Sequence, residues 1–311
     1  MISTTDIRHH GNILEYTACM EKKSIVFCGT PDFAAPCLRA LAGDPRFDVK
    51  LVITQPDRPI GRSGRTIPTP MKKVAVDLGI EVWQPEKLNK QIEEGSYKAA
   101  DRPDFLVVVA YGQLLSSAVL EWPTIAPINV HGSLLPRWRG ASPIEHAILN
   151  GDTETGIAVQ RMVKELDAGP ILGVVKTPIG ERETALQLRE RMATMAADIL
   201  LETLAKPLHE TPQPTDGITI CRKLSRDDGR ASTETMDAVT IDRMARALYP
   251  WPGVTATVLG RELKILETAL EPTATSTQIV CAKNTTLELV MVQEAGGKAM
   301  TGAEWARGVR N

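Results

Sequence analysis

The sequence predicts an α/β fold, in which a parallel sheet covered by helices is followed by a smaller β-barrel. Apolar runs of strand length alternate with helical segments, as in βαβ units with helices on both faces of a sheet. Residues 105–110 are continuously apolar, which is typical of a strand buried on both faces. Beyond residue 226, short β-type runs with turn signals indicate a small barrel. These patterns predict a Rossmann-like N-terminal domain and a small C-terminal barrel, for which an OB-like barrel is one of the architectures.

The first elements follow from apolar runs and capping residues. Residues 24–28 form a strand of the buried type. Thr30 stands where a helix N-cap belongs and Pro31 fits the first helical position, so we predict a helix from there to about Ala42. The same patterns predict strands at 49–54, 80–83, 105–110 and 125–131, and a helix at 71–78.

The later elements change in character. Two strand-like runs, 156–162 and 170–177, flank a turn, and a long amphipathic helix follows at 184–205. Three prolines indicate a linker at 206–216. Beyond the linker we predict a helix at 237–247, a rigid turn at 250–253, and strands at 254–259, 263–269, 278–282 and 287–293.

Composition excludes several classes of protein. The net charge of −2 argues against a generally cationic nucleic-acid binder, although it permits a local basic patch. Five cysteines without a CxxC pair favour reduced thiols in a cytosol-like compartment and argue against a zinc site. No apolar run approaches a membrane span, and residues 1–22 are polar, without the core of a secretory signal. We therefore expect a cytoplasmic protein without a metal, with residues 1–22 as a disordered extension.

The strongest chemical signal is the pair Asn129 and His131. Side chains alternate along a strand, so both lie on one face at the point where the strand reaches a Gly-Ser turn. A neutral amide donor beside a titratable imidazole suits a carbonyl carbon becoming tetrahedral, as negative charge grows on its oxygen. The alternative interpretation is a pair of satisfied polar residues that close a loop.

Asp167 strengthens the catalytic interpretation. It lies in a Leu-Asp-Ala-Gly-Pro turn between two strand-like runs, where an aspartate ordinarily caps backbone N–H groups. Together with Asn129 and His131 it provides an oxyanion stabiliser, a titratable group and an orienting carboxylate.

One loop concentrates positive charge. Residues 55–70 carry Arg58, Arg62 and Arg65 against the single Asp57. So long a loop in an α/β domain is either functional or disordered. It is either a merely solvated loop or a site that steers an anionic partner to one place.

Several motifs together resemble the methionyl-tRNA formyltransferase family of 10-formyltetrahydrofolate-dependent formyltransferases. The resemblance covers roughly residues 23–309. It is carried by FCGTPDFAA at 27–35, TQPDRPIGR at 54–62, VVVAYG at 107–112, NVHGSLLPRWRG at 129–140, GDTETG at 151–156, LDAG at 166–169 and KLS at 223–225. The NVHGSLLP block is common to formyltransferases of this superfamily, whereas the basic loop and the full-length match indicate the tRNA enzyme. The segment after KLS lacks the tryptophan of many members, and 296–300 is less basic than their pattern.

The resemblance implies a domain plan and a reaction. It implies a formyltransferase domain at 23–206, a linker at 207–225 and a tRNA-binding OB-like domain at 226–311. The enzyme would transfer the formyl group of 10-formyltetrahydrofolate to the α-amine of methionyl-initiator tRNA. Asn129 and His131 would hold the formyl oxygen, and Asp167 would pair with His131 and assist removal of the amine proton through a water molecule.

The resemblance also implies binding residues. Phe33 resembles the residue near the methionyl side chain, with a core aromatic as the equal alternative. Arg58, Arg62 and Arg65 would meet the tRNA acceptor end. The folate would lie along Val109, Tyr111, Gly112, Leu114, Ser133, Leu134, Leu135 and Pro136. We expect a monomer that binds neither DNA nor a membrane.

Two rival functions remain. A formyltransferase acting on a small amine, such as an amino sugar nucleotide, would use the same Asn, His and Asp, and the basic loop is the better discriminator. A non-catalytic folate or tRNA binder is the second rival, against which the intact Asn129, His131 and Asp167 argue.

Overall fold

The computed structural model of the chain describes residues 22–60, 64–95 and 102–309. The predicted extension at 1–22 lies outside these residues except for Lys22. The strands are β1 (Lys23–Gly29), β2 (Phe47–Ile53), β3 (Arg58–Ile60), β4 (Arg65–Ile67), β5 (Glu81–Trp83), β6 (Phe105–Val109), β7 (Ala126–His131), β8 (Arg139–Gly140), β9 (Glu154–Arg161), β10 (Ile171–Pro178), β11 (Ile220–Cys221), β12 (Val254–Val258), β13 (Arg261–Ala269), β14 (Thr277–Cys281), β15 (Thr285–Glu294) and β16 (Met300–Thr301). The helices are α1 (Ala35–Gly43), α2 (Pro70–Asp77), α3 (Leu88–Glu93), α4 (Ser117–Leu120), α5 (Pro143–Asn150), α6 (Ala185–Leu204), α7 (Ala238–Leu248) and α8 (Gly302–Val309).

The main sheet has seven strands in the order β10-β9-β7-β6-β1-β2-β5. Five adjacent strands of this sheet, β7-β6-β1-β2-β5, are parallel, as predicted, because helical crossovers return the chain to the same end of the sheet. β9 and β10 run antiparallel at one edge, so the sheet is mixed. β6 and β7 are completely buried along their length, which explains their almost uninterrupted apolar sequence. The α/β class is confirmed.

The start of the first helix differs from the prediction. A single 3-10 turn at Asp32–Ala34 precedes α1, which begins at Ala35. The Thr30 hydroxyl does not cap this helix, because it donates instead to the Tyr111 carbonyl oxygen at 2.9 Å. A contact with the neighbouring strand end has replaced the local cap.

The second sheet is antiparallel, with β12-β13-β15-β14 in order and β16 paired with β15. α7 packs against β13 and β15 of this sheet on one side and against α5 and α6 of the first part on the other. Its Asp242 is 2% exposed and accepts hydrogen bonds from Arg182 at 2.6 Å and Arg246 at 3.0 Å. Since Arg182 precedes α6, the contact between Arg182 and Asp242 joins the two parts of the chain.

Two small ladders lie outside the main sheets. β3 and β4 pair within the basic loop, and β8 pairs in parallel with β11. The second ladder brings residues after the prolines back onto the first part of the chain. None of the described helices is long and apolar enough to cross a membrane.

A candidate active site at the end of strand β7

The three predicted catalytic side chains converge. Asn129 and His131 project from the same face of β7, and both are almost completely buried. The Asn129 amide donates to Asp167 Oδ1 at 3.1 Å, and His131 Nδ1 lies 3.6 Å from Asp167 Oδ2. The strand therefore places an amide and an imidazole against one carboxylate, as alternation predicts.

The Asp167 carboxylate is held by further donors. Gln160 donates its side-chain amide to Oδ1 at 3.0 Å, and the Gly140 backbone N–H donates to Oδ2 at 2.8 Å. Asp167 itself has a φ of 49°, in the left-handed region that few non-glycine residues adopt. The turn that holds this backbone conformation presents the carboxylate to these donors.

His131 faces hydrogen-bond acceptors at both ring nitrogens. Nε2 lies 2.8 Å from the Trp138 carbonyl oxygen, so it must carry the proton of that bond. Nδ1 faces the Asp167 carboxylate at a distance too long for a direct hydrogen bond. Nδ1 is therefore the ring nitrogen left for a substrate atom.

The loop after β7 is fixed by Asp152. Arg137 donates to both oxygens of this carboxylate, at 2.9 and 2.5 Å, and the Trp138 indole N–H donates at 2.7 Å. Ser133 donates its hydroxyl to the Arg137 carbonyl oxygen at 2.6 Å. Partial burial alone would raise the pKa of Asp152, but the hydrogen bonds from Arg137 and Trp138 hold that pKa below 3.8. Asp152 thus secures the backbone that presents the Trp138 carbonyl to His131.

A buried thiol shares that carbonyl. The Cys221 Sγ donates to the Trp138 oxygen at 3.3 Å, and burial raises the pKa of this thiol to about 11. Such a thiol is inert as a nucleophile near neutral pH, so Cys221 contributes packing and a hydrogen bond.

The predicted folate residues lie at two strand ends. Val109 and Tyr111 are buried, whereas Leu114 is 78% exposed. Burial raises the pKa of Tyr111, and its hydroxyl has no hydrogen-bond partner within the described part of the chain. Gly112 has a φ of 89° and open space where a Cβ would stand. In the second segment Ser133 and Leu135 are buried, while Leu134 and Pro136 are partly exposed.

The predicted tRNA residues are only partly visible. Arg58 lies on β3 and forms an exposed ion pair with Glu86 at 3.1 Å. Arg62 lies outside the described residues, as does the side chain of Arg65. Phe33, predicted beside the methionyl group or in the core, is 8% exposed and packs in the main core cluster.

Three groups of this site were not singled out from the sequence. Gln160 is 1% exposed and pairs with Asn129 across β9 and β7. The signal available for it was a polar residue directly after the apolar residues 157–159 of a predicted strand. The Gly140 N–H and the Gln213 side chain carried no such signal, because both reach Asp167 only through the folded loops. Among the described residues no group of His, Cys, Asp or Glu side chains could hold a metal ion.

Comparisons with known proteins agree along nearly the whole chain. Residues 22–204 match the formyl transferase family, and residues 223–310 match the formyl transferase C-terminal domain family. The chain is 39% identical over 293 residues to the methionyl-tRNA formyltransferase of Paracoccus denitrificans, covering 92% of this chain and 97% of that protein. The enzymes of that name from Magnetococcus marinus and Xylella fastidiosa are 40% and 41% identical, over 91% and 92% of this chain and 95% and 98% of theirs.

Solved structures share the fold at lower identity. The sugar 3N-formyl transferase WlaRD gives a TM-score of 0.62 at 15% identity, over 89% of this chain and 99% of its own. An N-formyltransferase from Helicobacter canadensis gives a TM-score of 0.63 at 14% identity, over 86% of this chain and 98% of its own. HypX from Aquifex aeolicus, solved with tetrahydrofolic acid, gives 0.58 at 14% identity over 91% of this chain, which spans 46% of HypX.

Proposed function

This chain belongs to the methionyl-tRNA formyltransferase family, and we propose that Asn129, His131 and Asp167 carry its formyl transfer. The enzyme transfers a formyl group to the amino group of methionine esterified to initiator tRNA, giving formylmethionyl-tRNA for translation initiation. The observation that carries the assignment of residues is the convergence of the Asn129 amide and the His131 ring on one carboxylate.

The formyl donor is folate-derived, and we propose that it is 10-formyltetrahydrofolate. It binds as a co-substrate along the carboxyl ends of β6 and β7, since ligands of open α/β sheets bind beyond these ends. The predicted segments 109–114 and 133–136 provide apolar side chains and backbone groups there. Such a surface suits a flat pterin that needs both stacking area and hydrogen bonds.

Asn129 and His131 stabilise the negative charge on the formyl oxygen. One N–H of the Asn129 amide is used by Asp167, which leaves the second N–H to donate to that oxygen. His131 supplies the other donor through an N–H at Nδ1, because the N–H at Nε2 is already donated to the Trp138 carbonyl; this donation requires a proton on both ring nitrogens. Both donors are fixed before substrate binds, so they stabilise the transition state without reorganisation.

Asp167 orients His131 and helps to remove a proton from the attacking amine. The amine nitrogen bonds to the formyl carbon and the carbonyl electron pair moves onto the formyl oxygen, giving a tetrahedral oxyanion. The amine proton passes through a water molecule to the carboxylate. The carbonyl then re-forms, the bond to the donor nitrogen breaks, and the donor nitrogen takes up the proton returned through the water molecule as it leaves.

The arginine-bearing loop meets the tRNA acceptor end. Arg58 lies on the β3–β4 hairpin, where its exposed pair with Glu86 contributes little stability and can yield to a phosphate. Arg62 and Arg65 continue the same positive segment. The loop thus distinguishes a polyanionic acceptor from a small amine.

Radiolabelled formyl transfer tests the function. The donor is 10-formyltetrahydrofolate, and the acceptors are methionyl-initiator tRNA, the same tRNA without methionine, and a panel of small amines including an amino sugar nucleotide. Label on charged initiator tRNA alone is the expected result. Transfer only to a small amine would overturn the tRNA assignment but keep the chemistry of Asn129, His131 and Asp167. Absence of transfer even in a single turnover would indicate a binding protein.

A further inference from the structure

The chain segment that connects the two sheets, residues 211–221, lies against both loops of the candidate active site. Thr211 exchanges two backbone hydrogen bonds with Ile171, at 2.8 and 2.9 Å, beside the Asp167 turn. Ten residues further on, β11 pairs with β8, the strand that carries Gly140. The connection therefore joins the loop that presents Asp167 to the loop that donates to it.

Gln213 makes the central contact of this connecting segment. Its Nε2 donates to the carbonyl oxygens of Asp167 and Gly169, at 2.8 and 2.7 Å. It also lies 3.4 Å from Gln160 Oε1, on the side chain that donates to the Asp167 carboxylate. One amide nitrogen thus contacts both the turn that contains Asp167 and the residue that holds its side chain.

The other end of the Gln213 amide faces a cation. Oε1 accepts from Arg139 Nε at 3.1 Å and from Arg139 Nη2 at 2.6 Å. The orientation of the amide is therefore unambiguous, since a flipped amide would place its oxygen against carbonyl oxygens and its NH₂ against a guanidinium. Arg139 belongs to β8, next to the Gly140 N–H that donates to Asp167.

The Asp167 turn needs this external support. Its backbone is left-handed at Asp167, and within the turn the hydrogen bond from Ala168 N to the Glu165 oxygen is long, at 3.3 Å. A residue in this conformation persists only where its surroundings determine it. Gln213 is the partly buried residue in a stretch where Thr211, Pro212 and Pro214 are exposed.

We propose that Gln213 is a positioning residue for formyl transfer, which holds the Asp167 turn at the distance from β7 and Gly140 that catalysis requires. The inference rests on the role proposed above for Asp167. It implies that one residue of the connection between the two parts of the enzyme, Gln213, supports the active site without touching substrate.

The test measures kcat and both KM values for Gln213→Met, a variant of similar size that removes all five polar contacts. Because misplacement by about 1 Å can lower a rate by about 10²-fold, we expect kcat to fall by about 10- to 100-fold. Both KM values should stay within about threefold of those of the parent, since the substitution removes no contact with either substrate. Thr215→Ala, in the same segment, is the matched control and should retain the parent kcat.

Gln213→Glu provides a second test in case the Gln213→Met variant does not fold. It keeps the acceptor for Arg139 but sets a carboxylate oxygen against the carbonyl oxygens of Asp167 and Gly169. A comparable fall in kcat, with circular dichroism and melting temperature close to those of the parent, supports positioning.

Asp167→Asn and the double variant Asp167→Asn/Gln213→Met separate this inference from the proposed function. If Gln213 acts through Asp167, its replacement should change kcat by less than about twofold in the Asp167→Asn background, because effects on one interaction are not additive. An equal loss in both backgrounds, or a Gln213→Met variant with the parent kcat, overturns the inference alone. A fully active Asp167→Asn enzyme overturns the role of Asp167, and this inference with it.

Discussion

Asn129 and His131 illustrate how much chemistry a strand can specify with two residues. Their common face follows from alternation, and both are buried beside a carboxylate supplied by a separate turn. Burial removes competing water, so each remaining donor is strong and each is positioned before the substrate arrives.

Replacement of either donor should lower turnover strongly. Loss of one donor to a developing oxyanion typically reduces kcat by about 10²- to 10³-fold, so we expect this range for Asn129→Ala and for His131→Ala. Steady-state formylation of methionyl-initiator tRNA measures the effect.

Surface residues of the same types provide the controls. Asn150→Ala and His209→Ala, at exposed positions, should leave kcat unchanged. Near-parent turnover in a folded Asn129→Ala or His131→Ala enzyme would contradict the proposed mechanism.

Asp152 should stabilise the fold in a pH-dependent manner. Its pKa is below the unfolded value near 3.8, so its contribution is fully present above about pH 4 and is lost as pH falls through the lower, folded pKa. We therefore expect Asp152→Asn to be less stable than the parent at pH 7 and the difference to shrink on acidification.

Urea unfolding of the parent and of Asp152→Asn between pH 7 and pH 3 measures this difference. Glu154→Gln, whose carboxylate forms an exposed pair with Lys176, is the control and should show a small effect at every pH. A stability difference for Asp152→Asn that stays constant across the range would exclude the ion pair as its source.

Among the elements, the two-residue strand β8 supports the candidate site, because it pairs with β11 and carries the Gly140 N–H that donates to Asp167. Gly140 has a φ of 122°, and a Cβ there would lie 2.1 Å from the Cys221 carbonyl oxygen. The β8–β11 ladder can therefore form only with glycine at this position.

Gly140→Ala should separate β11 from β8 and move the N–H that donates to Asp167. We expect kcat to fall by at least about 10²-fold, because this shift misplaces the carboxylate. Gly217→Ala is a matched control, since Gly217 also has a positive φ, 75°, but open space around the Cβ position. Steady-state kinetics of the two variants should differ sharply; equal activity would remove the β8–β11 ladder from the mechanism.

The elements also show what sequence patterns can and cannot predict. Apolar runs predicted β6 and β7 within one or two residues, because complete burial leaves a continuous signal. An apolar run does not indicate in which direction a strand runs, so the antiparallel pairing of β9 with β7 was not predictable. The helix start predicted at Thr30 was wrong for a different reason. Its hydroxyl does not cap the helix, because it donates to the Tyr111 carbonyl oxygen, 81 residues away in the sequence.

The residues of the candidate site also differ in whether the sequence predicts them. Asn129, His131 and Asp167 were predicted because their chemistry is visible in single residues. Gln213 was not, because its role depends on five contacts with chain segments that are distant in sequence. The predicted domain boundaries, in which Gln213 belongs to a linker, stay a prediction.

At the scale of the molecule, charge is unevenly distributed. A chain with a net charge of −2 concentrates Arg58, Arg62 and Arg65 in one loop, which would attract a polyanion to one side of the enzyme. Replacing each arginine by alanine should raise KM for methionyl-initiator tRNA and reduce the slope of log affinity against log salt by up to about 1 per arginine.

Folate affinity distinguishes this effect from a general defect. Binding of the folate donor should be unchanged in the arginine variants, because the donor site is assigned to the strand ends. Arg39→Ala, which loses an exposed pair with Asp77 and lies outside both the basic loop and the predicted tRNA-binding domain, serves as a charge-matched control. Equal weakening of folate and tRNA binding would contradict the assignment of the loop.

The path of the connecting segment also bears on how this enzyme can be shortened for compound screening. The match to the N-terminal family ends at residue 204, which invites a truncation there. Such a fragment would lack Gln213 and β11, and with them the support of both loops around Asp167. A fragment intended to report on inhibitors of formyl transfer should therefore extend through Cys221, since a shorter one would present a relaxed site and select compounds for the wrong shape.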